Sequence, residues 1–262
     1  MARIKQSVVV PMFLGAPPKL SMEEACRAAA EIGYAAVEMW GAGEDFEDQV
    51  ATAHRHGLRV ASFGGHRGGG LGWNNRADHD VLERQLRASI DLAVRHDVPG
   101  LICLSGNRQE GRTQEEAIAV TAEGLARVAP YAEEKGVNLN LEVLNSKVDH
   151  AGYDCDSTAW AVAVCRLVNS PRVRILYDIY HMQIMEGDVI RTIRDNIEWI
   201  GHFHTAGNPG RHDMDDEQEL NYVGICRAIA ATDYDLYVGH EFSAKGDVVA
   251  ALRQAFQLCD QG

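Results

Sequence analysis

Basic residues are scarce in this chain of 262 residues. Its 25 lysines and arginines stand against 38 aspartates and glutamates, which leaves a formal net charge of −13. An electrostatic field of that sign repels phosphate polymers and anionic lipid surfaces. We therefore expect neither a nucleic-acid partner nor a membrane partner.

Long apolar runs are also missing. No stretch approaches the roughly 20 apolar residues of a membrane span, and the opening Met1-Ala-Arg-Ile-Lys lacks the apolar core of a signal peptide. These absences favour a cytoplasmic location. The six cysteines include no Cys-x-x-Cys pair, so we expect reduced thiols that pack as small hydrophobic side chains.

What the sequence does contain is a repeating β/α pattern. Short runs rich in valine, isoleucine and leucine alternate eight times with stretches of helical period. The predicted strands are 7–13, 35–40, 59–65, 100–106, 138–144, 173–181, 200–206 and 236–242. Eight such units in one chain fit a (β/α)₈ barrel, whereas open doubly wound sheets usually have five or six strands. We predict an α/β fold, a single TIM barrel that spans residues 1–262 as one domain, and expect a homo-oligomer, which is common for barrels.

Helix boundaries support this division. Ser21-Met-Glu-Glu and Thr113-Gln-Glu-Glu each place a hydroxyl three residues before a glutamate, the pattern of a capping box. Gly33, Gly57 and Gly136 each follow a helical run and suit the left-handed position that ends a helix.

The glycine-rich stretch 64–75 follows the third predicted strand. Neither G-x-G-x-x-G nor G-x-x-x-x-G-K-[ST] can be threaded through it, so a nucleotide cradle is disfavoured. A mobile loop over the barrel mouth is the better interpretation. His66 in this stretch and Trp40 at the end of the second strand are expected to line the pocket.

Polar residues stand at the carboxyl ends of the last four predicted strands. By the period of two, Glu142, Asp178, His204 and Glu241 point into the barrel while their neighbours point outward. That end of a TIM barrel carries the active site. Taken singly, such a glutamate is more often an ion-pair partner or a helix cap, and His202 reads as a packed histidine. Their joint placement on four successive strands points to a functional site.

Three carboxylates stay ionised at close quarters only when a cation compensates their repulsion. A ligand set of oxygens with one imidazole nitrogen suits Mn²⁺, Mg²⁺ or Co²⁺. We therefore expect a divalent metal ion to be the cofactor, bound by the four residues named above.

Five segments of the sequence resemble the hydroxypyruvate isomerase family of the xylose-isomerase-like barrels. They are Leu141-Glu-Val-Leu-Asn, Leu176-Tyr-Asp-Ile-Tyr-His-Met-Gln-Ile-Met-Glu-Gly-Asp, Ile200-Gly-His-Phe-His-Thr-Ala-Gly-Asn-Pro-Gly-Arg, Glu219-Leu-Asn-Tyr and Val238-Gly-His-Glu-Phe. The resemblance implies that Asp178 binds the metal and that His181 reaches the substrate. It also implies that Glu142 and Glu241 bind the metal and move protons, and that Arg211 binds the substrate.

The implied activity is isomerisation of a small hydroxy-keto acid or sugar through an enediolate, with Glu142 and Glu241 as acid and base. A ketose 3-epimerase remains an alternative, because related epimerases carry a histidine where this chain has His204. A metal-dependent lyase is another, because the same enediolate could expel water or carbon dioxide. A non-catalytic sugar-binding protein is also conceivable, whereas the net charge disfavours an apurinic-site nuclease. Arg211 can either clamp a substrate carboxylate or pair with Asp213, Asp215 and Asp216 on a charged loop.

Overall fold

A computed structural model describes residues 4–15, 19–68 and 70–261. Its eight parallel strands pair in chain order, and β1 also pairs with β8, which closes the barrel. The strands are β1 (Lys5–Val9), β2 (Ala36–Met39), β3 (Arg59–Gly64), β4 (Gly100–Cys103), β5 (Asn138–Glu142), β6 (Val173–Asp178), β7 (Ile200–Thr205) and β8 (Tyr237–His240). The predicted (β/α)₈ fold is confirmed.

Helices connect the strands around the outside of the barrel. They are α1 (Met22–Ile32), α2 (Phe46–Arg55), α3 (His79–Arg95), α4 (Gln114–Ala126), α5 (Ala129–Lys135), α6 (Thr158–Val168), α7 (Ile179–Met185), α8 (Val189–Asn196), α9 (Tyr222–Ala230) and α10 (Val248–Cys259). Both predicted capping boxes are present, at Ser21 and Thr113. Gly33, Gly57 and Gly136 take the left-handed conformation expected of them, with φ of 113°, 76° and 74°.

The apolar core lies between the sheet and the helices. Tyr177 on β6 and Phe203 on β7 point outward, with ring centroids 6.0 Å apart, and both are fully buried. Inside the barrel, by contrast, several buried side chains are polar, among them Glu38, Asn140 and His202. The six cysteines are buried and free, as predicted. Within the described ranges, none of the helices combines the length and apolar character needed to cross a membrane.

Several strands end earlier than the sequence pattern indicates. The first was predicted as 7–13, but β1 stops at Val9 and a 3₁₀ turn follows at Val10–Met12, where Pro11 has no N–H to donate to a sheet. The sixth was predicted as 173–181, but β6 ends at Asp178. The Asp178 carboxylate accepts a hydrogen bond from the His181 N–H at 2.9 Å and so begins α7. His181 therefore lies in the first turn of a helix.

Leu86 tests the core between helix and sheet. It is fully buried on α3, and its Cδ1 lies 2.5 Å from where a Cβ on Gly65 would stand, so it packs directly on the end of β3. We expect Leu86→Ala to lower the free energy of unfolding by about 2–5 kcal/mol, because the cavity it leaves can close only in part. Urea unfolding measures this difference.

Leu167→Ala is the matched control, since Leu167 is also helical but is 62% exposed. Its effect should stay within about 0.5 kcal/mol, as is usual for surface positions. Equal losses in the two variants would contradict the described packing of α3.

Candidate active site

Four side chains meet at the carboxyl ends of β5 to β8. They belong to Glu142, Asp178, His204 and Glu241, and one potential ligand atom from each lies within 4.8 Å of the others. All four residues are buried. The convergence expected from strand parity is therefore present, because parallel strands deliver their last inward residues to one mouth.

His204 lies between the carboxylates. Its Nδ1 is 3.2 Å from Glu241 Oε2 and 3.6 Å from Glu142 Oε1, yet this buried nitrogen has no aligned hydrogen-bond partner among the described residues. Its Nε2 is 3.1 Å from Glu38 Oε2 on the far side of the ring. Burial opposes a positive charge on His204, but Glu38 and Glu241 outweigh that effect and raise the pKa of the ring well above its usual value. Glu38 holds the proton on Nε2, so a cation bound among the three acids would replace the proton on Nδ1. Such an arrangement fits a divalent metal ion.

Glu38 is the residue of this site that sequence reasoning missed. Its Oε2 lies 3.0 Å from His202 Nε2 as well as 3.1 Å from His204 Nε2, and its Oε1 accepts a hydrogen bond from Ser7 Oγ at 2.5 Å. Burial opposes its ionisation, but His202 and His204 outweigh that effect and hold the pKa of Glu38 well below its usual value. Gly239 provides the room, since a Cβ there would stand 2.2 Å from Glu38 Oε1.

A signal for Glu38 was present in the sequence. It is the only charged residue in the apolar strand β2, and it is flanked by Val37 and Met39 on the opposite parity. His202 is buried, as expected of a packed histidine. The trio of Glu38, His202 and His204 has the composition of a second metal site, but contacts of 3.0 and 3.1 Å are those of hydrogen bonds from the two ring nitrogens to the Glu38 carboxylate.

Glu241 is held from the solvent side by two side chains. Arg211 Nη2 donates to Glu241 Oε2 at 2.6 Å, and Trp40 Nε1 donates to Glu241 Oε1 at 3.3 Å. Although burial favours the protonated acid, His204 and Arg211 lower the pKa of Glu241. Of the two interpretations of Arg211, pairing with the aspartates of its own loop is not what the described residues show: Arg211 pairs with Glu241, while Asp213 accepts from the Lys245 N–H and Asp215 pairs with Lys245 Nζ. Arg211 Nε is buried and has no partner in the described ranges.

His181 lies beside Asp178 and is completely buried. Its Nδ1 is 2.6 Å from Asn145 Nδ2. Its Nε2 is 3.7 Å from Asp178 Oδ2, and the described part of the chain offers this nitrogen no hydrogen-bond partner. Burial, with Arg211 adding to it, lowers the pKa of His181 to about 3. The ring is therefore neutral and directs an unsatisfied nitrogen toward the site.

A cavity of about 290 Å³ opens over these groups. Its lining includes Glu142, His204, Glu241, Trp40 and His66. Trp40 is 61% exposed and stands at the rim. His66 Nε2 accepts a hydrogen bond from the Leu104 N–H at 3.0 Å, and burial lowers its pKa. Both residues that were expected to line the pocket thus do so.

The chain belongs to the xylose isomerase-like TIM barrel family, whose profile matches residues 26–261. It is 30% identical over 175 residues to the hydroxypyruvate isomerase of Escherichia coli strain K12. The aligned region covers 65% of this chain and 67% of that protein. It is 32% identical over 157 residues to the 2-oxo-tetronate isomerase of Cupriavidus necator, covering 60% of this chain and 57% of that protein. The family match confirms the resemblance seen in the sequence, and the names of these relatives are consistent with the isomerase class that it implies.

Solved structures share the barrel over nearly its whole length. AP endonuclease, family 2 from Brucella melitensis superposes with a TM-score of 0.80 at 26% identity and covers 98% of both chains. An L-ribulose 3-epimerase superposes with a TM-score of 0.79 at 21% identity, over 98% of this chain and 93% of that one. Proteins named as an endonuclease and as an epimerase thus share this barrel, so the fold does not identify the reaction, which must be argued from the residues of the site.

The four converging side chains predict metal binding. We expect the protein to bind Mn²⁺ and Asp178→Asn to weaken that binding by at least about tenfold, because even partners that only orient a ligand typically contribute 10- to 100-fold. Asparagine can still cap α7, so the helix should persist. Isothermal titration calorimetry measures the affinity.

Asp215→Asn serves as the control, since this acid lies in a surface ion pair with Lys245. Its Mn²⁺ affinity should equal that of the unmodified protein. Equal affinity in both variants would place the metal elsewhere.

Proposed function

We propose that this protein is a metal-dependent isomerase of a small hydroxy-keto acid or sugar, with hydroxypyruvate as the first candidate substrate. The observation that carries the proposal is the meeting of Glu142, Asp178 and Glu241 around Nδ1 of His204, a buried nitrogen with no hydrogen-bond partner among the described residues. The names of the relatives, hydroxypyruvate isomerase and 2-oxo-tetronate isomerase, support the same class of substrate.

Glu142, Asp178, His204 and Glu241 would hold the metal. Carboxylate oxygens with one imidazole are a donor set for Mn²⁺, Mg²⁺ or Co²⁺. When bound, such an ion supplies Lewis-acid stabilisation of negative charge on substrate oxygens. Three buried acids with two nearby cationic partners, His204 and Arg211, retain an excess of negative charge that a divalent ion would offset.

The reaction moves a carbonyl to the neighbouring carbon. A carboxylate removes a proton from the hydroxyl-bearing carbon, which gives an enediolate. A proton then returns to the former carbonyl carbon, while the hydroxyl proton passes from one oxygen to the other. Hydroxypyruvate becomes tartronate semialdehyde with no net gain or loss of atoms. General acid–base groups of this kind contribute about 10²- to 10⁴-fold in rate.

Glu142 and Glu241 are the groups we assign to these transfers. Arg211 and Trp40 fix both oxygens of Glu241. Among the cationic groups of the described ranges, Glu142 contacts His204 alone, at 3.6 Å. The carboxylate of Glu142 is therefore freer to accept the first proton. Glu241, which also lines the cavity, would serve the neighbouring carbon.

Arg211 and His181 would bind the substrate. The unpartnered Nε of Arg211 offers a donor for a carboxylate oxygen, and the unpartnered Nε2 of His181 offers one for a hydroxyl or carbonyl oxygen. A cavity of about 290 Å³ lies at the lower end of the size range for ligand pockets, which suits a small substrate.

A ketose 3-epimerase is the second candidate. His204 supports it, because the resemblance implies a histidine ligand at this position in such epimerases. The same pair of carboxylates would then remove and return a proton at one carbon. The product distinguishes the two reactions, since an isomerase yields a positional isomer and an epimerase yields a stereoisomer.

The direct test incubates the protein and Mn²⁺ with hydroxypyruvate and with a panel of ketoses in deuterium oxide. We expect tartronate semialdehyde that carries carbon-bound deuterium, detected by NMR and mass spectrometry. Glu142→Gln and Glu241→Gln should each lower kcat by about 10²- to 10⁴-fold, because an amide cannot accept the proton.

Circular dichroism and substrate binding control for misfolding in these variants. Glu219→Gln is the matched control, because this glutamate accepts hydrogen bonds from Gln183 and Asn208 outside the four-residue cluster. Unchanged turnover in both cluster variants would contradict the acid–base assignment. Metal binding without turnover on any substrate of the panel would contradict the enzyme itself.

Arg211 provides a separate prediction on substrate charge. We expect Arg211→Met to raise the KM for hydroxypyruvate about 10- to 100-fold, because a charged hydrogen bond is worth about 1.5–3 kcal/mol. The KM for a neutral ketose should rise much less. Lys245→Met is the control, since Lys245 pairs with Asp215 and Glu217 on the surface. Equal changes for both substrates would mean that Arg211 only positions Glu241.

A further inference from the structure

Asn145 is a fully buried amide just beyond β5, and neither the proposed metal set nor the proposed acid–base pair uses it. Its Oδ1 accepts hydrogen bonds from the backbone N–H groups of Val148 and Asp149, both at 2.9 Å. Its Nδ2 donates to Asp149 Oδ2 at 2.7 Å and lies 2.6 Å from His181 Nδ1. Two acceptor positions and two hydrogens are thus all engaged, which is the full capacity of an amide.

The orientation of this amide is therefore determined by its surroundings. If the amide were reversed, its NH₂ group would face two backbone N–H donors and its oxygen would face the Asp149 carboxylate. Both contacts would be repulsive. Tyr180 adds to the arrangement, because its hydroxyl donates to the same Asp149 oxygen at 2.8 Å. The donor side of Asn145 must then face His181.

A donor at Nδ1 decides which nitrogen of His181 carries the proton. Nδ1 must accept the hydrogen bond from Asn145, so the proton of the neutral ring sits on Nε2. An imidazolium would set N–H against N–H at 2.6 Å. Nε2 is the buried nitrogen that lacks a partner among the described residues and lies 3.7 Å from Asp178 Oδ2.

We propose that Asn145 is a positioning residue that locks His181 as the neutral Nε2–H tautomer and so aims a hydrogen-bond donor at the substrate oxygen. The chemical use of that donor rests on the proposed function, whereas the tautomer does not. A neutral imidazole N–H stabilises a developing oxyanion without giving up its proton. His181 is thereby reserved for polarising the substrate, and the proton transfers stay with Glu142 and Glu241.

The tautomer can be measured without turnover. Long-range ¹H–¹⁵N correlation spectra of ¹⁵N-histidine-labelled protein separate protonated from unprotonated ring nitrogens. His181→Gln identifies the relevant signals among the 11 histidines. At neutral pH, in the metal-free protein and with diamagnetic Mg²⁺, we expect His181 to show an unprotonated Nδ1 and a protonated Nε2. An imidazolium or an Nδ1–H tautomer in the unmodified protein would overturn the proposal.

The double variant Asn145→Asp/Asp149→Asn exchanges the acid and the amide and keeps the net charge. The carboxylate at position 145 can still accept from the two backbone N–H groups, but it now presents an acceptor to His181 Nδ1. We expect the proton to appear on Nδ1. An unchanged Nε2–H signal in this variant would also overturn the proposal.

Tyr180→Phe is the matched control. It removes a hydroxyl from Asp149 and leaves the contact between Asn145 and His181 in place, so the His181 tautomer should not change. If the double variant does not fold, the spectrum of the unmodified protein still decides the question.

Kinetics then separate positioning from metal binding. In the double variant we expect kcat to fall about 10- to 100-fold, the usual effect of losing a partner that orients a functional histidine. Mn²⁺ affinity by calorimetry should be unchanged, because the side-chain hydrogen bonds given for Asn145 go to Asp149, His181 and backbone N–H groups and to no member of the four-residue cluster. A tautomer switch with unchanged kcat would refute the role of His181 as a donor while leaving the isomerase proposal intact.

Discussion

The concentration of negative charge at the barrel mouth is the constraint on which the rest of the site depends. Glu142, Asp178 and Glu241 are buried within 4.8 Å of one another's potential ligand atoms, so their ionised forms repel strongly. The chain compensates part of this charge from two sides. Arg211 reaches Glu241 from the loop after β7, and His204 stands between Glu241 and Glu142. A divalent ion would offset what remains.

The barrel itself makes this concentration possible. Parallel strands bring their carboxyl ends to one face, and in this chain the interior below that face holds buried polar side chains such as Asn140 and His202. Glycines supply the space: a Cβ on Gly239 would collide with Glu38, and a Cβ on Gly201 would stand 2.2 Å from Asn140 Oδ1. Gly239 on β8 thus makes room for the carboxylate that supports His204, and Gly201 on β7 makes room for the amide of Asn140.

Two histidines of the site have partners of opposite character, and the roles we propose for them differ accordingly. His204 faces a carboxylate, Glu38, on its Nε2, so its Nδ1 is the nitrogen that would exchange its proton for a bound cation. His181 faces an amide N–H, from Asn145, on its Nδ1, so its Nε2 presents a proton to the site. The chemistry of the partner behind each ring decides whether the ring acts as a ligand or as a hydrogen-bond donor.

The sequence by itself determined the barrel and the four converging side chains, since the period of two and the order of strands are local properties of the chain. For the sixth strand the sequence pattern predicted residues 173–181, which extends past the observed end at Asp178. The strand ends there because the Asp178 carboxylate caps α7 and interrupts an otherwise extended pattern. Only the tertiary structure decided that Glu38 supports His204, that Arg211 binds Glu241 and that Asn145 orients His181. Glu38 and His204 are 166 residues apart in the chain. Contacts of this kind exist only when the closed barrel brings distant strands and loops together, and no local pattern encodes them.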